Sequence, residues 1–248
     1  MKKTLLLALI ITWACLTTVV GQNLRLPISN YTNKVYGRDY EATNYCILSD
    51  HRNFVYAGNA NGIMEYDGTE WRFIEVRQGA IVGSMDISPD GTIFVGSQQD
   101  FGLLVTDQQG SLKYRSLSRF LPEKDRYFSD IWCTHASNEL TAFQAEECMY
   151  ILRDDSLTSI YPKTTYHTSF LLDRDLYVRE RGEGLKMLVD DEFVLVKDGE
   201  LFADLGIFGM FSYDDQGKIL LATQEKGFYL FDPLRGIEHM STENEEFL

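Results

Sequence analysis

Paired cysteines, clustered histidines, basic stretches and proline-rich linkers are all missing from this chain, and each absence removes a class of function. The four cysteines (Cys15, Cys46, Cys133, Cys148) include no CxxC pair, so neither a zinc site nor a redox motif is indicated. Those beyond the first read as small core residues. The four histidines (His51, His135, His167, His239) stand singly, so no metal centre, no histidine-based catalytic group and no cofactor is expected. Only 23 Lys and Arg stand against 37 Asp and Glu, for a formal charge of −14. That field repels phosphate backbones and anionic lipid head groups, so direct nucleic-acid or membrane-surface binding is not expected of this segment. With five prolines and no low-complexity run, nothing divides the chain into separate globular domains.

The first feature present is a positive start, Met1-Lys2-Lys3, ahead of an apolar stretch from Leu5 through Ile11 that fades over Thr17 to Gln22. That is the pattern of a cleavable secretory leader. The stretch is interrupted by Trp13, Cys15, Thr17 and Thr18 and falls short of the ~20 apolar residues a spanning helix needs. Cys15 is a poor lipoprotein cysteine, because Thr12-Trp13-Ala14 lacks the usual leucine. Cleavage is expected near Gly21, which makes residues 1–21 the leader and 22–248 a periplasmic segment. The leader carries Lys2, Lys3 and no acid, so its removal takes the charge from −14 to −16.

Beyond the leader no long stretch has helical period. Short runs rich in Ile, Val, Phe, Tyr and Leu alternate with Asp/Gly/Asn punctuation such as Asp67-Gly68, Pro89-Asp90-Gly91 and Asp215-Gln216-Gly217, an all-β pattern with frequent hairpins. A unit of strand, short turn and strand recurs through Phe54 to Asp67 and Ile93 to Asp107, with weaker copies over Leu140 to Tyr150, Leu176 to Met187 and Ile219 to Asp232. Anchored on Gly58, Gly96, Ala142, Arg179 and Ala222, the copies lie 37 to 46 residues apart, the length of one four-stranded propeller blade. The expected fold is an all-β propeller of four-stranded antiparallel blades, about five in this chain. A β-sandwich would explain short strands but not the period.

The copy Tyr56-Ala-Gly-Asn-Ala-Asn-Gly-Ile-Met-Glu-Tyr-Asp-Gly-Thr-Glu-Trp71, continued by Phe101-Gly102, Tyr114-Arg-Ser-Leu117 and Asp130-Ile-Trp132, resembles the repeat of the two-component-regulator propellers. The resemblance is closest through about residue 150 and looser afterwards. It implies the exported sensor propeller that hybrid histidine kinases or transcriptional regulators carry ahead of a triple-tyrosine domain, a membrane helix and a cytoplasmic output part. Five blades are fewer than such sensors close with, so further blades and signalling domains of a longer regulator are implied partners. An unclosed ring leaves strand edges that invite self-association.

Carboxylate pairs such as Asp154-Asp155, Asp190-Asp191, Asp214-Asp215 and Glu245-Glu246 fall largely where the repeat demands turns, and read as solvated turn residues rather than a hydrolase acid/base pair. No catalytic residue is assigned and the segment is not expected to be an enzyme; an exported propeller hydrolase or lyase acting on glycans is the alternative. All hairpins between the second and third strands of a propeller share one rim. Here they span Asn59 to Gly62, Gln98 to Phe101, Gln144 to Glu147, Arg179 to Glu183 and Gln224 to Lys226. Asn59, Gln98, Asp100, Gln144, Arg179, Arg181 and Gln224 are the candidate binding residues, suited to a small polar ligand such as an oligosaccharide.

Overall fold

The computed structural model describes residues 28–37, 41–77 and 79–241; the expected leader and Glu245-Glu246 lie outside the described residues. Residues 28–32 belong to a separate unit without regular structure. In the unit that starts at Asn33, a one-turn helix α1 (Asn33–Tyr36) precedes the strands.

The strands form five four-stranded antiparallel sheets, each in chain order. Blade 1 holds β1 (Asn44–Ser49), β2 (Val55–Asn59), β3 (Gly62–Tyr66) and β4 (Trp71–Ile74). Blade 2 holds β5 (Val82–Ile87), β6 (Ile93–Ser97), β7 (Asp100–Thr106) and β8 (Leu112–Ser116). Blade 3 holds β9 (Cys133–Ala136), β10 (Thr141–Gln144), β11 (Met149–Arg153) and β12 (Ser156–Ile160). Blade 4 holds β13 (Tyr166–Leu172), β14 (Asp175–Glu180), β15 (Gly184–Val189) and β16 (Glu192–Leu195). Blade 5 holds β17 (Ile207–Ser212), β18 (Ile219–Thr223), β19 (Phe228–Asp232) and β20 (Gly236–Met240). The first strands of successive blades pack together, β1 on β5, β5 on β9, β9 on β13 and β13 on β17. They are the inner edges of a β-propeller, as the period predicts.

Local chemistry explains the hairpins. Asp67 accepts the backbone N–H groups of Thr69 and Glu70, Asp107 those of Gln109 and Ser111, and Asp214 those of Gln216 and Lys218. The carboxylate thus replaces the missing ladder partners of the turn. Asp154, Asp190 and Asp191 take left-handed backbone angles in turns between third and fourth strands, the role expected of those pairs.

Second strands are buried almost end to end, as in β6 and β10, because a blade covers each face; outer strands such as β8 and β12 alternate. The repeated glycine follows from this sandwiching. A Cβ at Gly58 would lie 2.4 Å from Cys46 Sγ and 2.8 Å from Val82 O, and one at Gly96 would lie 2.5 Å from Ile131 Cγ2 and 2.6 Å from Thr134 Oγ1. Only glycine lets the next blade come this close.

In blade 3 the equivalent position is Gln144 rather than Ala142. Its turn closes from Ala145 N to Cys148 O, as Ser97 pairs with Asp100 in blade 2, and this moves the anchor two residues along. In blades 3 and 4, which lack the glycine, a long polar side chain fills the gap. Gln144 reaches Ser169 in blade 4, and Arg179 reaches the carbonyls of Phe202 and Ala203 ahead of blade 5.

Four apolar seams join the five blades. Tyr56, Ile63 and Ile74 meet Val82, Ile93 and Val95 between blades 1 and 2. Phe94 and Phe101 meet Phe143, Cys148 and Tyr150 between blades 2 and 3. Ala142, Met149 and Ile151 meet Tyr166, Leu176 and Val178 between blades 3 and 4, and Tyr177 and Leu185 meet Ile207, Met210 and Leu221 between blades 4 and 5. Among the described residues no fifth seam joins blade 5 to blade 1. The outer face of blade 5 is a row of Phe211, Leu220 and Leu230 beside Ala222, Phe228 and Met240. Phe211 is 57 % exposed there, and Ile47 on the outer face of blade 1 is 75 % exposed. The cysteines sit at or beside these seams, all three described ones unpaired; burial pushes the Cys46 thiol up to about 11 and that of Cys148 to about 12.

Candidate ligand-binding face

First strands begin, and hairpins between second and third strands turn, at the same rim. All five expected hairpins lie there. Of the seven expected binding residues, four turn inward and hold the frame. Asn59 Nδ2 donates to the carbonyls of Glu41 and Thr43 and to Asn44 Oδ1, while its Oδ1 accepts from Asn61 N. Asp100 accepts from Phe101 N and from the hydroxyls of Ser116 and Ser118. Gln144 and Arg179 bridge seams as described. Arg179 Nε donates to Phe202 O at 2.8 Å and its Nη2 to Ala203 O at 2.6 Å, and burial, with Arg181 nearby, lowers its guanidinium from the usual range. Gln98, Arg181 and Gln224 are exposed.

Each exposed residue is tied by its backbone to the start of a first strand. Gln98 N donates to Ile81 O, Arg181 N to Thr165 O and Gln224 N to Gly206 O. Two residues further on, each of these strands has a β-bulge, an extra residue outside the ladder, at Gly83, His167 and Phe208; β1 has one at Tyr45. Trp132 holds this place in blade 3. Ser84 Oγ donates to Ile131 O as Cys46 Sγ does to Val82 O, which equates Ile131 with Val82 and Trp132 with Gly83. The N–H of Trp132 also donates to the carbonyl of Gln144, the ladder partner of Cys133. Tyr45, Trp132 and Phe208 are 52 %, 57 % and 64 % exposed. Phe208 stands edge-on to His167 with ring centres 5.4 Å apart. His167 Nδ1 is buried without a hydrogen-bond partner; burial lowers its imidazole pKa, and Arg179 and Arg181 lower it further.

Sequence reasoning missed these rings. The signal is an aromatic followed by a small residue at the start of a copy, as in Tyr45-Cys46, Trp132-Cys133, His167-Thr168 and Phe208-Gly209. It is legible only once the copies are in register.

The opposite rim carries a cavity of ≈ 530 Å³ across blades 2 to 4, lined by Asp86, His135, Glu139, Asp173 and Arg174 among others. Asp86 accepts the N–H groups of Ile87 and Ala136, yet burial raises its pKa. His135 Nε2 lies 2.9 Å from Ser169 Oγ, whose proton goes to Gln144 Oε1. Burial pushes the imidazole down to about 4.

This is the fold of a β-propeller segment, and comparison with solved structures agrees. The extracellular domain of the hybrid two-component system BT4673 from B. thetaiotaomicron matches over 80 % of this chain and 28 % of its own, with 17 % identity and a TM-score of 0.57. The corresponding domain of BT3049 matches over 90 % of this chain and 30 % of its own, with 13 % identity and a TM-score of 0.59. Virginiamycin B lyase from Staphylococcus aureus matches over 81 % of this chain and 70 % of its own, with 15 % identity and a TM-score of 0.58. The chain thus spans less than a third of the two sensor domains. No family model and no curated protein matches it.

Proposed function

We propose that the chain is the ligand-sensing propeller segment of an exported signal-transduction regulator. Its ligand is a carbohydrate or other polar nutrient, bound at the rim of the hairpins between second and third strands, and it binds without turnover. The carrying observation is the division of labour at that rim. Asn59, Asp100, Gln144 and Arg179 lock the frame, while Gln98, Arg181 and Gln224 stand free of it at the mouth. A rigid frame with a few uncommitted polar groups loses little entropy on binding. The likeness to two extracellular sensor domains supports the reading. So does the uncovered apolar face of blade 5, which is the surface a further blade of a longer regulator would cover.

Thermal melting of the exported chain against oligosaccharides, amino acids and nucleosides tests this, since a ligand that binds only the folded state raises the melting temperature. Gln98→Ala with Gln224→Ala is expected to reduce the shift, whereas Asp90→Ala with Asp215→Ala on the opposite rim leaves it unchanged. The reverse pattern places the ligand at the other rim and overturns the assignment. Chromatographic detection of product from the bound glycan would establish the exported hydrolase or lyase reading instead.

A further inference from the structure

The aromatic side chains at the bulges are not needed by the fold. A bulge residue lies outside the ladder and re-aims its side chain; a polar residue there would leave the neighbouring ladders and all four seams as they are. Yet four of the five positions are aromatic, and three of those rings are more than half exposed.

We infer that Tyr45, Trp132, His167 and Phe208 form a stacking platform for the sugar rings of an oligosaccharide, whose hydroxyls are taken by Gln98, Arg181 and Gln224. The inference rests on the ligand face proposed above and names its ligand class. Sugars present flat C–H faces edged by hydroxyls, so they need apolar rings interleaved with groups that donate and accept. The backbone ties set that interleaving: Arg181 is fixed beside the strand start that carries His167, and Gln224 beside the one that carries Phe208. The edge-on contact of His167 and Phe208 carries the surface from blade 4 to blade 5. The acidic character of the chain argues against a phosphorylated aromatic ligand such as a nucleotide.

Trp132 is its own reporter. The exported chain is titrated with xylohexaose, maltohexaose, arabinohexaose and hexagalacturonate, with sorbitol and pentaglycine as controls, and iodide quenching of tryptophan fluorescence is followed. The part of the signal lost in Trp132→Phe belongs to Trp132. A hexaose that binds is expected to shield Trp132 from iodide, and Trp132→Ala or Phe208→Ala to weaken binding roughly three- to tenfold, with Trp132→Phe retaining most of it. If a hexaose binds, Gln98→Ala weakens it, and neither quenching nor the two alanine variants respond, the platform is refuted and the ligand face stands. Binding of pentaglycine but no sugar refutes the ligand class. Absence of binding by every probe overturns both.

Discussion

Lys186 and Glu180 form an ion pair with side chains only 7 % and 2 % exposed, Nζ lying 2.6 Å from Oε2. The other carboxylate oxygen, Oε1, accepts Thr164 N at 2.9 Å, and Lys186 has a second, longer contact to Glu183 at 3.2 Å. Lys186→Met keeps the apolar stem but strands a buried carboxylate, at a cost of about 3–5 kcal/mol. For a unit of this size that lowers the melting temperature by about 10 °C. Glu180→Gln alone should cost less, because Lys186 keeps Glu183 and the glutamine oxygen can still accept from Thr164. The double variant removes both charges and is expected within about 1 kcal/mol of the parent, which makes the coupling at least about 2–4 kcal/mol. Urea unfolding followed by circular dichroism measures all four proteins, with an unchanged m-value as the check that only stability moved. Additive single losses, with no recovery in the double variant, would refute the reasoning.

His135 takes its proton near 6.5 when unfolded but only at about 4 when folded. The unfolded chain therefore binds the proton first. Stability present above pH 6.5 should be lost progressively down to about 4, by about 3 kcal/mol in all. Asp86, raised by burial, titrates in the opposite sense, so the measurement is the difference between parent and His135→Gln, whose stability profile should be flatter in this window. Gly96→Ala drives a methyl into Ile131 and Thr134 and should cost about 1–3 kcal/mol; an unchanged melting temperature would refute the close approach of blades 2 and 3. Light scattering of the chain should show self-association through the face of Leu220 and Leu230, reduced by Leu220→Lys; a clean monomer in the parent refutes it. Mass spectrometry of protein exported by a Gram-negative host should find a chain starting near Gln22, and recovery of intact Met1 would overturn the leader.

Period, turn chemistry and strand count were legible in the sequence because they are local. An Asp that caps its own turn, as at Asp67 or Asp107, needs only neighbours two to four residues away, and a blade-length repeat needs only self-similarity. The phase of the repeat was legible too, since every expected hairpin between second and third strands falls where the chain turns. The direction and burial of the side chains were decided by tertiary structure. Asn59, Asp100, Gln144 and Arg179 read as exposed turn polarity, but the hairpins are short enough to set these residues against backbone carbonyls and hydroxyls that belong to other strands or to the next blade. Ala142 yielded to Gln144 because register is set by the partner strand and the turn. The bulges that carry Tyr45, His167 and Phe208 are likewise a property of two strands, since an extra residue exists only relative to the ladder it interrupts. The exposed side of blade 5 follows from the whole arrangement: among the described residues five similar blades make four seams, and no single strand encodes which neighbour its sheet packs against.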